Sequence, residues 1–276
     1  MELNSIIFRP PVPSYTYSRF EEEMIWIPGM KKSFIPCLFL HSHQQTQKTF
    51  LFLHANAEDL GKIYDFLDIM RCVIEVNILA PEYPGYGLNN GKASCKNVLN
   101  VGLHVYRFAL ETLRIKVEDL IIIGRSIGTC PATCIAGEGA AALVLLSPFT
   151  SLRKLIKRLV GTFLSYIVKD QYRNIDYIKK VICPVLMIHG KKDALIPFSH
   201  SEKLAKACQG QASVILSDTM SHNKFEYYDD VLSPIDNFLK ENSIEVTTGD
   251  RIYIPEEFYK IPEIYMKKQE ILRDFL

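Results

Sequence analysis

The sequence predicts an α/β protein with a doubly wound, mostly parallel sheet and helices on both faces. Two observations carry this. Seven short segments read as strands, and several are apolar throughout rather than alternating, the pattern of strands buried on both faces. Most are separated by stretches with apolar residues at helical spacing, so strands and helices alternate as βαβ units. A third observation, a serine set between two glycines just past one such strand, gives the fold a candidate site.

The strands are SFIPCLFL (33–40), TFLFLH (49–54), VNILAPEY (76–83), DLIIIG (119–124), ALVLLS (142–147), PVLMIHG (184–190) and SVILS (213–217). The amphipathic helices are DLGKIYDFLDIM (59–70), NVLNVGLHVYRFALETL (97–113), HSEKLAKAC (200–208) and KFEYYDDVLSPIDNFLK (224–240). Residues 151–183 interrupt the alternation with a basic and apolar insertion. After residue 242 prolines break the pattern. This divides the chain into a domain over 1–242, with a lid insertion at about 151–183, and an extension over 243–276.

Composition narrows the function. The chain has 276 residues, 48% hydrophobic and 23% charged, enough for a sizeable core, and a net charge of +1 speaks against a nucleic-acid partner. Seven scattered cysteines suit a reducing compartment better than a disulfide framework. No apolar run has membrane-spanning length. The opening MELNSIIFRPPVPSY lacks the pattern of a signal peptide, so a cytoplasmic location is expected.

Gly124-Arg125-Ser126-Ile127-Gly128 fits G-x-S-x-G, between the strand DLIII and the helix-forming IGTCPATCIAG. That strand–turn–helix context raises a serine hydroxyl at the C-terminal edge of the sheet. Such a hydroxyl needs a base and a group to orient the base. Asp193 lies just past the strand PVLMIHG, and His222 follows SVILS, so both fall at the same sheet edge as Ser126. His189 and Asp218 are rivals for these positions. His41 and His43 read as solvent-facing loop residues, His104 and His200 as ordinary helix residues. Cys130 and Cys134 read as small core packing rather than a metal pair. For an oxyanion, the N–H of Ile127 is one donor and that of Asn56, in the early loop FLHANAEDLG, is the other.

These residues resemble those of the α/β-hydrolase superfamily, and within it the small-lidded serine hydrolases related to acyl-protein (palmitoyl-protein) thioesterases. FRPPVPSY is similar to that group's proline-rich leading segment and HANAEDLG to its oxyanion loop. PEYPGYGLNNGK, GRSIGT, HGKKDALIP and SHNKF are similar to its tyrosine–glycine, nucleophile, acid and histidine loops. Two substitutions depart from the group. Ala55 stands where a glycine is usual, which adds strain if that backbone needs a positive φ, and Ser221 replaces the glycine common before the histidine. Membrane-targeted members carry an N-terminal cysteine cluster. This chain has no cysteine before Cys37, so their lipid anchoring is not carried over.

The resemblance implies a serine hydrolase that cleaves esters or thioesters through an acyl-enzyme, with fatty-acyl groups on protein cysteines as the first substrate candidate. It needs no metal and no organic cofactor. A monoacylglycerol lipase or carboxylesterase, and a non-catalytic binding protein on the same fold, are the alternatives. In the lid, LRKLIKRLV interleaves apolar residues with Arg153, Lys154, Lys157 and Arg158. Such a helix can rest on an anionic membrane surface, or lay its apolar face on the core with its charges in water.

Overall fold

A computed structural model describes residues 7–29, 33–160 and 172–266, with backbone only at 157–160. The chain divides into two compact units, residues 1–115 with 247–276, and residues 116–246.

In the first unit the strands are β1 (Met24–Pro28), β2 (Phe34–Leu40), β3 (Thr49–Leu53) and β4 (Asn77–Pro81). Their order is β1-β2-β4-β3, with β2 antiparallel to both β1 and β4, and β3 parallel to β4. Helices α1 (Leu60–Ile74) and α2 (Cys95–Glu111) belong to this unit. The first is capped by Asp59, whose Oδ1 accepts from the Lys62 N–H at 3.0 Å, and the second by Ser94, whose Oγ accepts from the Asn97 N–H at 3.1 Å. Each cap satisfies a donor that a helix start would otherwise leave open.

In the second unit β5 (Leu120–Arg125), β6 (Ala142–Leu146), β7 (Val185–Gly190) and β8 (Ala212–Ser217) run parallel, each beside the next. Connecting them are α3 (Thr129–Ala136), α4 (Leu152–Val160), α5 (Asn174–Tyr177) and α6 (Ser199–Ala207), and α7 (Ser233–Glu241) follows β8. Every residue of β5, β6 and β7 is buried, as their uninterrupted apolar runs require. The β8 strand is only partly covered, and its sequence mixes serine with Val214 and Ile215.

Four expectations are corrected. β1 was not expected: its MIWIP run is short and follows three glutamates. The helix expected over 224–240 is a π turn over Tyr227–Leu232 followed by α7. Pro234 is the reason, because it has no N–H to give and its ring crowds the carbonyl of Asp230, so the backbone widens ahead of it. His41 does not face solvent freely; it is half-buried, its ring edge-on to Phe39, and burial together with Arg251 and Arg71 lowers its pKa to about 4. Ala55 does not carry a positive φ; Ala57 does, at 57°, so alanine at position 55 adds no backbone strain.

Within the stretch expected to form a lid, α4 turns Leu152 and Ile156 into the interior and leaves Lys154 exposed. Residues 161–171 of the expected lid lie outside the described residues. The described part of the extension, from Thr247 to Met266, packs on the first unit. Thr248 bridges to Thr46, Phe258 meets Phe108 edge-on at 4.9 Å, and the Tyr265 ring packs tilted against Trp26 at 4.6 Å. The Tyr265 hydroxyl donates to the Phe34 carbonyl at 2.7 Å.

Candidate active site

The elbow begins where β5 ends. Ser126 has φ +52°, a left-handed conformation that L-residues with a Cβ adopt at a cost. A Cβ on Gly124 would come within 2.6 Å of both the Ala132 Cβ and the Gly128 carbonyl, so only glycine lets the strand pass this close to α3. The turn is then tied down. Thr129 Oγ1 donates to the Ser126 carbonyl at 2.6 Å, and the buried Asn174 donates to Thr129 Oγ1 at 3.1 Å and to the Phe149 carbonyl at 2.9 Å. Ile127 lies in the opening helical turn, where backbone N–H groups have no acceptor within the helix.

Asp193 follows β7 and has a buried carboxylate. Its Oδ1 accepts from the N–H groups of Leu195 and Ile196 at 2.9 and 2.8 Å, while Oδ2 accepts from His222 Nδ1 at 2.7 Å. Burial pushes the Asp193 pKa up, but the nearby His189 ring and the hydrogen bonds from His222 and the Ile196 N–H outweigh it and hold the carboxyl well below the usual range. With Nδ1–H given to Asp193, His222 presents Nε2 as an acceptor, 3.0 Å from Ser126 Oγ. The three residues expected to converge are thus joined by two hydrogen bonds.

The rivals are otherwise engaged. His189 is buried, donates from Nε2 to the Ile196 carbonyl at 2.8 Å and accepts at Nδ1 from Ser201 Oγ at 2.7 Å. Asp218 is exposed and pairs with Lys191 at 2.7 Å, which lowers its pKa. His104 donates to the Pro28 carbonyl at 2.6 Å, and His200 Nδ1 accepts from the Thr150 N–H at 3.2 Å. His43 is exposed, with Nε2 3.3 Å from Cys72 Sγ. Cys130 is buried and Cys134 partly so.

Sequence reasoning missed the groups that hold the histidine loop. The Asp230 carboxylate closes it at both ends, accepting from Ser217 Oγ at 2.6 Å and from the Glu226 N–H at 2.9 Å. Ser217 Oγ in turn accepts from the Met220 N–H at 3.0 Å. Arg125, the second residue of the elbow motif, donates to the His222 carbonyl at 3.0 Å. No pattern in the sequence marks Asp230 or Arg125, because both act across the fold rather than along the chain.

In the first unit, the Asn56 side chain organises its own loop. Oδ1 accepts from the N–H groups of Arg9 and Ala57 at 2.9 and 3.0 Å and from the Tyr86 hydroxyl at 2.7 Å, and Nδ2 donates to the Ile7 carbonyl at 2.6 Å. The tyrosine–glycine loop and the proline-rich segment therefore both tie to this asparagine.

Comparison with known proteins agrees with this architecture. Residues 121–223 match the family model described as serine hydrolase (FSH1). An esterase of Pyrococcus furiosus superposes with a TM-score of 0.68 at 14% identity, covering 85% of this chain and 97% of the esterase. The protein is a serine hydrolase of the α/β-hydrolase class. Human alpha/beta hydrolase domain-containing protein 17B is 32% identical over 269 residues, covering 88% of this chain and 92% of its own length. The Xenopus tropicalis 17B protein is 35% identical over 214 residues, 77% of this chain and 73% of its own. This chain belongs to the alpha/beta hydrolase domain-containing protein 17 family.

Proposed function

We propose that Ser126, His222 and Asp193 form the catalytic triad of this hydrolase, acting on fatty-acyl esters and thioesters such as acylated protein cysteines. The observation that carries the reading is the chain of two hydrogen bonds, 3.0 Å from Ser126 to His222 and 2.7 Å from His222 to Asp193. Ser126 Oγ attacks the acyl carbonyl as His222 Nε2 takes its proton. The imidazolium so formed is stabilised by Asp193 and then protonates the leaving thiol or alcohol. Water, activated by the same histidine, releases the acid from the acyl-enzyme. The backbone N–H of Ile127 is an oxyanion donor in this reading.

The acyl-thioester preference is supported by the loop-by-loop likeness to acyl-protein thioesterases and by family membership. In this reading the enzyme works in the cytoplasm at the surface of membranes, where its substrates reside, with lid cations such as Lys154 facing the anionic leaflet.

The experiment is fluorophosphonate labelling of wild type beside Ser126→Ala and His222→Ala, followed by turnover of a palmitoyl-thioester peptide and a monoacylglycerol. Labelling lost in both variants and faster thioester turnover are expected. An unlabelled, folded wild type would overturn the triad assignment, and faster glyceride turnover would overturn the substrate assignment.

A further inference from the structure

The geometry points to Arg125 as the positioning residue that sets the reach of His222 toward Ser126, through its backbone rather than its ring. This inference rests on the triad reading above and adds a group to it.

Three contacts define the arrangement. Arg125 Nη2 donates to the His222 carbonyl at 3.0 Å and lies 3.4 Å from Asn223 Oδ1. The guanidinium also sits 5.1 Å from the centre of the Phe225 ring. One cation thus reaches three of four consecutive residues in the histidine loop, two through oxygens and the third by lying over an aromatic ring. Arg125 is itself buried, with 7% exposure, which strengthens a charge-assisted hydrogen bond to a carbonyl.

Arg125 and Ser126 are adjacent in sequence, so the elbow meets the histidine loop twice. One link is the hydrogen bond from Ser126 Oγ to the imidazole. The other is the Arg125 hydrogen bond to the main chain of the residue that carries the imidazole. The imidazole bond breaks and reforms during the reaction as its proton moves. The arginine bond stays, because neither guanidinium nor carbonyl changes protonation. The His222 backbone is therefore held in place while its ring exchanges protons with the hydroxyl and the leaving group. Asp230 fixes where the loop starts and ends, and Arg125 fixes its middle.

The test uses Arg125→Ala, Asn223→Ala and Phe225→Leu, with p-nitrophenyl butyrate as substrate and fluorophosphonate labelling rate as a second readout. Misplacing a base costs on the order of 100-fold in rate. Arg125→Ala is expected to lower kcat by about that factor with KM changed less than about twofold, and millimolar guanidinium is expected to restore part of the loss. Phe225→Leu is expected to lower kcat by about threefold, the scale of one partly exposed cation–π contact. Unchanged kcat in a folded Arg125→Ala, or a loss that lies wholly in KM, would overturn the inference. So would a loss that guanidinium leaves untouched. Should Arg125→Ala fail to fold, Asn223→Ala and Phe225→Leu decide, and unchanged kcat in both would overturn it. An unlabelled wild type would instead reject the triad, so the two failures are distinguishable.

Discussion

His189 Nε2 stands 3.5 Å from Asp193 Oδ2, with both side chains wholly buried. His189 is nonetheless fixed by other partners, the Ile196 carbonyl at Nε2 and the Ser201 hydroxyl at Nδ1. Neither ring nitrogen is left for a substrate, so this histidine supports the carboxylate while His222 faces the serine.

The pH dependence of stability follows from this support. The folded Asp193 pKa lies below its unfolded value of about 3.9. Its stabilisation is therefore present above about pH 4 and lost as pH falls through the folded pKa. Thermal unfolding followed between about pH 5 and pH 2 should show wild type losing stability more steeply than Asp193→Asn. Parallel curves would show that the carboxylate is not specially held.

At Ser126 the backbone and the chemistry conflict. Ser126→Ala and Ser126→Gly both remove the hydroxyl, but only glycine adopts φ +52° without cost. The glycine variant is expected to be more stable than the alanine variant by about 1 kcal/mol, with both inactive. Denaturant titration of the pair checks this. An alanine variant equal to or above the glycine variant would mean that the elbow carries no strain.

The sequence disclosed whatever repeats along the chain or answers to a fixed offset. The buried strands were legible because parallel strands covered on both faces must be apolar throughout, as β5 through β7 are. Ser126 was legible because an elbow needs Gly124 and Gly128 at set distances, and Asp193 and His222 because each follows a strand that ends at one edge. What stayed hidden depends on contacts between distant residues. Strand β1 is defined by its antiparallel pairing with β2, not by its four apolar residues. His41 is half-buried edge-on to Phe39, and its lowered pKa comes from that burial and from two arginines elsewhere in the chain. Arg125 looks like an arbitrary filler of the motif until the histidine loop folds over it.

Gly190 offers a steric test of the same loop. A Cβ there would lie 2.0 Å from the Met220 carbonyl oxygen, a backbone atom two residues before His222. The loop has to move to admit it. Gly190→Ala should cost about 1–3 kcal/mol of stability, as overpacking does, and lower kcat by at least about tenfold. Gly249→Ala is the control, since its Cβ would meet nothing closer than 3.7 Å. Equal activity and unfolding midpoints for the two variants would show that the loop yields freely at Met220.

The first unit contains a buried ion pair whose sign with pH is opposite to that of Asp193. His54 Nε2 lies 3.1 Å from Glu82 Oε1, and Nδ1 lies 2.9 Å from the Ala55 carbonyl. Glu82 facing Nε2 and the Ala55 carbonyl at Nδ1 both favour the protonated ring, which stacks on Tyr83 at 3.9 Å. Burial lowers its pKa, but Glu82 and the Ala55 carbonyl outweigh burial and leave it raised. Glu82 is satisfied further by the Tyr15 hydroxyl at 2.9 Å and the Leu60 N–H at 3.0 Å. A raised folded pKa gives stability that is complete below the unfolded value of about 6.5 and lost as pH rises through the folded value. Wild type should therefore lose unfolding free energy as pH rises above about 6.5 more steeply than His54→Asn. Glu82→Ala, which strands the imidazolium, should cost about 3 kcal/mol at pH 6 and less at pH 9, where the ring can shed its proton. Urea unfolding at the two pH values measures both. A Glu82→Ala penalty that does not shrink with rising pH would mean that the pair is held by packing and the Tyr15 and Leu60 hydrogen bonds rather than by charge.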